Sequence, residues 1–245
     1  VMNALRPTFP PALLKRLIQY CQTRGFRTTI HVASEEQALQ AVDAGVNALA
    51  HVMIKGRINP SFAQFMASKR IPMSTTMTVY NNIARIAEEP EMFDARLFVA
   101  TLDATERERQ KTRERQRYIR SGLSAMFAML MPYMKENIGH FYRAGAVLAA
   151  GTDRTYGPTL HQELQTLVES GVSPADALRM ATMNGARYLG KENELGSITR
   201  GKLADMVLLR ADPTVDIKNA QAIEAVYKGG IRIDLDQLKL PVNGR

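Results

Sequence analysis

Residues 28–52, TTIHVASEEQALQAVDAGVNALAHV, decide the fold of this chain. A short β-branched segment ends in His31, a helical pattern follows, and a second short apolar segment ends in His51. The helical part opens on the N-cap candidate Ser34, has acidic residues in its first turn, and closes at Gly45. A strand, a helix and a strand in this order predict a βαβ unit with two parallel strands.

The same alternation continues along the chain. Two further short apolar segments, PMSTTMTV at residues 72–79 and AVLAAGTD at residues 146–153, predict a third and a fourth strand. Helical patterns separate the strands, and the long insert between Tyr80 and Tyr133 is predicted to be mostly helical. After residue 190 the pattern changes to short strands joined by Gly and Asp-Pro turns. We therefore expect an α/β part at residues 1–190 and an all-β segment at residues 191–245.

Composition excludes several classes of protein. The chain has 245 residues, of which 45% are hydrophobic and 23% charged, and its single cysteine, Cys21, cannot form an intrachain disulfide. A single cysteine favours a reducing compartment, so we expect a cytoplasmic location. No apolar run has the length of a membrane span, so we expect no membrane contact. The first residues, VMNALRPTFPP, are typical of the interior of a protein sequence. The question of a targeting segment further upstream therefore stays open.

The net charge of +8 raises the question of nucleic acid binding. The densest charge lies at residues 103–120, where arginines alternate with glutamates and no run of aromatic residues is interleaved to stack bases. This pattern is typical of a solvated helix with i,i+3 and i,i+4 ion pairs. The sequence therefore predicts no nucleic acid partner.

Three residues of metal-ligand type stand where strands end. His31, His51 and Asp153 close the first, second and fourth predicted strands. The carboxyl ends of parallel strands meet at one edge of a sheet, so these side chains are expected to converge there and hold a divalent metal. Three alternatives stay open: histidines satisfied within the core, Asp153 as the N-cap of the next helix, and a facial triad for non-haem iron.

Other polar residues are placed to touch a substrate at the same edge. The candidate substrate-binding residues are Tyr80, Arg154, Tyr156 and His161. A solvated first turn of a helix is the alternative for His161 and its neighbour Glu163. His140 lies in the helix before the fourth strand and is expected to be structural.

Four segments together resemble the amidohydrolase superfamily, in the branch of imidazolonepropionase-related and Xaa-Pro dipeptidase-like enzymes. They are the opening stretch, AAGTD at residues 149–153, ELQTLVESGVSPADALRMATMNGARYLG at residues 163–190, and ELGSITRGKLADMVLLRADP at residues 194–213. The resemblance implies a TIM barrel with a metal centre and a small β-sandwich. By position, His31 would follow the fifth barrel strand, His51 the sixth and Asp153 the eighth.

The resemblance also implies an activity. It is the hydrolysis of an amide or other C–N bond by a metal-activated water, with zinc as the expected metal and Asp153 as catalytic proton relay. The substrate would be a non-standard peptide, a cyclic amide or a dipeptide-like molecule.

The chain departs from the family in two ways. It has only four histidines and no His-x-His pair, and four predicted strands stand where a closed barrel needs eight. We therefore expect a partial (β/α)8 barrel, strands five to eight, followed by a β-sandwich segment, with the amino-terminal half of the enzyme missing. A homo-oligomer stays open, as does the alternative of a non-catalytic fragment that acts through association.

Overall fold

A computed structural model describes residues 9–237 of the chain, which form helices and four short parallel strands up to residue 189 and a small antiparallel sheet after it. The helices are α1 (Pro11–Gln22), α2 (Glu35–Asp43), α3 (Pro60–Lys69), α4 (Met77–Arg85), α5 (Arg96–Thr101), α6 (Ala104–Arg109), α7 (Arg115–Arg120), α8 (Leu123–Arg143), α9 (Pro158–Glu169), α10 (Pro174–Ala181) and α11 (Met183–Leu189). The strands are β1 (Thr29–His31), β2 (Ala48–Ala50), β3 (Met73–Ser74), β4 (Leu148–Ala149), β5 (Met206–Leu209), β6 (Ile223–Lys228) and β7 (Ile231–Arg232).

Strands β1 to β4 form one parallel sheet in chain order. Ile30 pairs with Leu49, Leu49 with Met73, and Met73 with Leu148, so one register line crosses the whole sheet. A parallel sheet with helical crossovers confirms the predicted α/β class. Closure into a barrel and the division of the chain at residue 190 remain predictions.

The turn between β1 and α2 shows how the sequence aligns the first strand. The Ser34 hydroxyl accepts a hydrogen bond from the amide of Gln37 at 3.4 Å, as predicted for an N-cap. The Gln37 side chain in turn accepts from the amide of Ala33 at 2.8 Å. Ala38 and Ala41 are fully buried, so α2 lies close against the sheet and the end of β1 is held in place.

The insert folds as helices, as predicted. Its longest member, α8, packs against α4, with the rings of Tyr80 and Phe127 5.0 Å apart. The charged stretch carries the expected i,i+3 ion pairs, including Arg109 with Glu106 at 2.6 Å. Its middle, Gln110–Glu114, is a π-helix, a form that is rare and occurs frequently at functional sites.

Three predicted elements differ from the structure. The fourth strand ends at Ala149, so Asp153 lies four residues beyond its end and does not close it. The third strand ends at Ser74, because α4 already begins at Met77. The buried Glu163 carboxylate accepts the amide protons of Met77 and Thr78, which supplies acceptors for a helix start. The helical pattern at residues 173–190 is divided at Thr182 (φ −117°, ψ −88°) into α10 and α11.

The end of the described chain forms an antiparallel sheet in the order β5-β6-β7. Gly196 leads into it with φ +88°, and a Cβ added there would lie 2.8 Å from the Cα of Met183. Only glycine permits this close approach to α11. The strands confirm the predicted all-β segment, whereas a sandwich remains a prediction. None of the helices within residues 9–237 is long and apolar enough to cross a bilayer.

Candidate functional site

Two histidines meet at the carboxyl edge of the parallel sheet. His31 is the last residue of β1, and His51 follows β2 directly. Their ring centroids are 4.1 Å apart with an angle of 70° between the ring planes. His31 is exposed, and His51 is 5% exposed. The structure therefore brings together two of the three predicted metal ligands.

Burial keeps both imidazoles neutral. It lowers the pKa of His51 to about 4, and repulsion from His31 acts in the same direction, whereas the Asp153 charge opposes them. Burial also lowers the pKa of His31, again against the influence of Asp153. Asp153 therefore lies close enough to act on both rings. Neutral imidazoles expose the nitrogen lone pair that a metal ion binds.

Backbone strain is concentrated at the same edge. Within residues 9–237, four residues other than glycine have positive φ, and three of them follow strands β2, β3 and β4: His51 (71°), Thr76 (48°) and Asp153 (49°). A left-handed conformation costs about 1–3 kcal/mol per residue and persists only where the surroundings enforce it. It is most unusual for Thr76, because β-branched residues disfavour positive φ.

His51 is held by two neighbours. Its Nδ1 lies 2.6 Å from the Oγ1 of Thr76, and the Tyr80 ring stands edge-on to it with 6.1 Å between centroids. Tyr80, a predicted substrate-binding residue, is fully buried. Burial raises the pKa of its phenol, and the charges of Asp153 and Glu163 add to this effect. Tyr80 therefore packs against His51 as an uncharged, buried side chain.

Glu163 lies in the core of the protein. The alternative that it stands in a solvated first turn of a helix is therefore wrong. Its side chain is fully buried and accepts hydrogen bonds from Thr75, Met77 and Thr78 at the start of α4. Burial raises the pKa of the carboxyl group, and these hydrogen bonds oppose the shift. His161, two residues before it, is half-buried and its Nδ1 has no hydrogen-bond partner among the residues described.

Asp153 does not cap a helix. The residue preceding α9 is Gly157, which makes no side-chain capping bond, so the N-cap hypothesis is wrong. The carboxylate of Asp153 is exposed at the edge where His31 and His51 lie. A close contact holds its segment there, since a Cβ added to Gly151 would lie 2.1 Å from the Ser74 Oγ.

The loop after Asp153 is fastened to the insert. Tyr156 donates its hydroxyl proton to Glu106 at 2.6 Å and accepts from Gln110 at 3.1 Å. Arg154 donates to the hydroxyl oxygen of Tyr118 at 3.3 Å. Two predicted substrate-binding residues thus lie beside the site with their polar groups already engaged. No sequence motif indicated these contacts.

Sequence reasoning also missed Asn137. It is fully buried on α8, where its side chain donates to the carbonyl oxygens of Met53 (3.1 Å) and Gly56 (2.8 Å) and accepts from the amide of Ile58 (2.9 Å). These bonds fix the loop that follows His51. A polar residue within the apolar pattern of α8 was the available signal.

The complete metal set remains a prediction. Across residues 9–237, no group of three or more His, Cys, Asp and Glu side chains is arranged to hold a metal ion. Two imidazoles are in contact and one carboxylate is near them. His140 lies elsewhere, half-buried on α8 beside Glu136 and Arg143, as expected of a structural residue.

Comparison with known proteins adds the family context. The profile described as the amidohydrolase family matches residues 1–232. The chain is 33% identical over 103 residues to an adenine deaminase of Paracoccus denitrificans (strain Pd 1222), covering 38% of the chain and 17% of that protein. It is 35% identical over 102 residues to an imidazolonepropionase of Rubrobacter xylanophilus (strain DSM 9941), covering 37% of the chain and 25% of that protein.

A crystal structure of a Xaa-Pro dipeptidase with bound methionine in its active site shares the fold. The TM-score is 0.69 at 22% identity, and the match covers 93% of this chain and 50% of that one. The chain thus spans about half the length of this solved structure and smaller parts of the two curated relatives.

Proposed function

The chain belongs to the amidohydrolase family, and we propose that it provides part of the active site of a metal-dependent hydrolase that cleaves a C–N bond in a small molecule. The observation that carries this proposal is the pair of neutral imidazoles, His31 and His51, in contact at a sheet edge within the influence of Asp153. A satisfied core histidine would account for His51 alone. It would not account for the exposed His31 beside it.

The types of side chain at this edge suit a divalent ion. Two neutral imidazole nitrogens and one carboxylate are the donor types that catalytic zinc takes, and zinc is the metal we propose. His31, His51 and Asp153 would hold it. A bound divalent ion would supply Lewis-acid activation of water and of the substrate carbonyl.

Asp153 has the position of a proton carrier. Its carboxylate is exposed at the edge of the sheet, so it can reach a water and a substrate. We assign it the transfer of a proton from the attacking water to the leaving nitrogen. Arg154, Tyr156 and His161 follow it in the chain and would line the substrate side, with Tyr80 packed against His51.

The substrate class follows from the relatives. The proteins similar to this chain are named as an adenine deaminase, an imidazolonepropionase and a Xaa-Pro dipeptidase. We propose an amide, cyclic amide or dipeptide-like substrate on that ground.

The chain also needs complementary structure. We propose that its four parallel strands are one half of a (β/α)8 barrel and that the antiparallel strands belong to a β-sandwich. The other half, in the same enzyme, would supply further ligands, and a cytoplasmic location fits this proposal. The share of the Xaa-Pro dipeptidase that the chain covers, about half, supports this arrangement.

The test compares bound zinc and turnover in the same samples of the enzyme. His51→Ala removes a nitrogen ligand, so zinc content and activity on Xaa-Pro dipeptides and cyclic amides should fall together. Asp153→Asn keeps an oxygen but cannot carry a proton, so it should retain zinc while turnover drops by about two to four orders of magnitude. His140→Ala serves as the control and should match the wild type.

Full activity of Asp153→Asn without added metal would refute this mechanism. Activity that returns with excess zinc would make Asp153 a ligand only. An enzyme that binds no zinc and hydrolyses none of these substrates would favour the alternative of a non-catalytic chain acting through association.

A further inference from the structure

We propose that Thr76 and Glu163 are positioning residues that fix the ring orientation and the tautomer of His51. In this arrangement Nδ1 carries the proton and donates it to Thr76, and Nε2 keeps its lone pair for the sheet edge. That this lone pair binds a metal rests on the proposed function. The tautomer itself can be measured without any metal.

The Glu163 carboxylate accepts hydrogen bonds from residues on both sides of Thr76. One carboxylate oxygen accepts from the Thr75 hydroxyl and from the amide of Met77 at 3.0 Å. The other accepts from the amide and the hydroxyl of Thr78, each at 2.7 Å. A carboxylate is an acceptor with about four lone-pair positions, so these four donors saturate it.

These hydrogen bonds explain the unfavourable backbone conformation of Thr76. Thr76 lies between Thr75 and Met77, which both donate to Glu163, and its backbone has φ 48° and ψ 34°. A β-branched residue rarely adopts this left-handed conformation. In that conformation its Oγ1 lies 2.6 Å from Nδ1 of His51. The strained turn and the contact with His51 therefore depend on the same four hydrogen bonds from a distant helix.

The second ring nitrogen points the other way. Nε2 of His51 makes no hydrogen bond within the described residues, and it is not among their buried unpartnered atoms, so it keeps access to solvent. A neutral imidazole carries one proton, and a threonine hydroxyl can accept it. With the proton on the inward Nδ1, the lone pair remains on the accessible Nε2. An imidazole that binds metal in this way donates its other N–H to an oxygen behind it.

The experiment records ¹⁵N shifts of the ring nitrogens in the full chain with labelled histidine, and His51→Gln assigns the signals. The wild type should show a protonated Nδ1 and an unprotonated Nε2 at His51. Thr76→Val keeps the branched shape but loses the hydroxyl, so it should give a mixture of tautomers. Thr76→Ser keeps the hydroxyl and should restore the wild-type pattern.

Glu163→Gln tests the four hydrogen bonds that Glu163 accepts. An amide nitrogen would replace one acceptor and face the donors of residues 75–78, so the His51 signals should broaden or move toward the mixture. Leu167→Ala is the matched control, because this fully buried leucine lies on the same helix and makes none of the four bonds. It should lower stability and leave the tautomer unchanged.

Zinc titration against a competing chelator gives a second readout. Affinity should fall by about 10–100-fold in Thr76→Val and recover in Thr76→Ser. A wild-type His51 protonated on Nε2, or a tautomer unchanged in a folded Thr76→Val, would overturn the inference. If the wild type binds no zinc but the tautomers change as described, the proposed function fails and the positioning role stands.

Discussion

Replacing Gly151 by alanine tests how closely the strand ends must approach to hold Asp153. An added Cβ would lie 2.1 Å from the Oγ of Ser74 and 3.2 Å from the Cγ2 of Thr76. The Ser74 hydroxyl must then leave its rotamer or the ends of β3 and β4 must separate. Overpacking of this kind costs about 1–3 kcal/mol.

The unfolded chain works against part of that cost. Alanine has fewer unfolded conformations than glycine, which stabilises the folded state by about 0.4–1 kcal/mol. We therefore expect Gly151→Ala to lose about 1–2 kcal/mol of unfolding free energy. Urea unfolding followed by circular dichroism measures it.

A double-mutant cycle identifies the cause. Ser74→Ala removes the Oγ and leaves a Cβ 3.5 Å away, an ordinary contact, so Gly151→Ala should cost less in that background by at least about 0.5 kcal/mol. Gly157→Ala is the control in the same loop. Its φ is −50° and an added Cβ would meet nothing within 4 Å, so it should be neutral or slightly stabilising. Equal losses from Gly151→Ala in both backgrounds would refute the reasoning.

Two further changes probe the supports of the site. Asn137→Ala removes the three hydrogen bonds of a buried side chain and should cost about 3 kcal/mol in urea unfolding, with faster hydrogen exchange at the Ile58 amide. The exposed Asn193→Ala should do neither, and slow exchange in Asn137→Ala would contradict the assignment. The pKa of Glu106 is lowered to about 2, first by its bond to Arg109, so its stabilisation is complete above about pH 4.5 and lost as the pH falls toward 2. Glu106→Gln should therefore flatten the dependence of stability on pH in that window, and an unchanged slope would show that the carboxylate contributes nothing.

The positions of His31, His51 and Asp153 could be predicted because local patterns determine them. Short apolar segments indicate strands, and parallel pairing places the polar residues at or shortly after the strand ends on the shared edge. The Ser34 cap was equally local. These predictions required no knowledge of distant contacts.

Glu163 and Thr76 could not be predicted for the opposite reason. A carboxylate is buried only where donors surround it, and its donors come from residues 75–78, more than eighty positions earlier. The same contact ends β3 early, because it favours a helix start in a segment whose β-branched residues indicate a strand. One long-range interaction thus accounts for a misplaced element and for the strained turn.

The cost of assembling this edge argues against a purely structural role for it. Burial and the charge of His31 both lower the pKa of His51. Thr76 and His51 have left-handed backbone conformations, and so does Asp153, which caps no helix. A structural histidine needs a hydrogen-bond partner, which Thr76 gives to His51, but it does not need an exposed second imidazole 4.1 Å away. Strain that exceeds what the fold requires is common where groups are positioned for a ligand before it arrives. These features support the metal site that we propose at His31, His51 and Asp153.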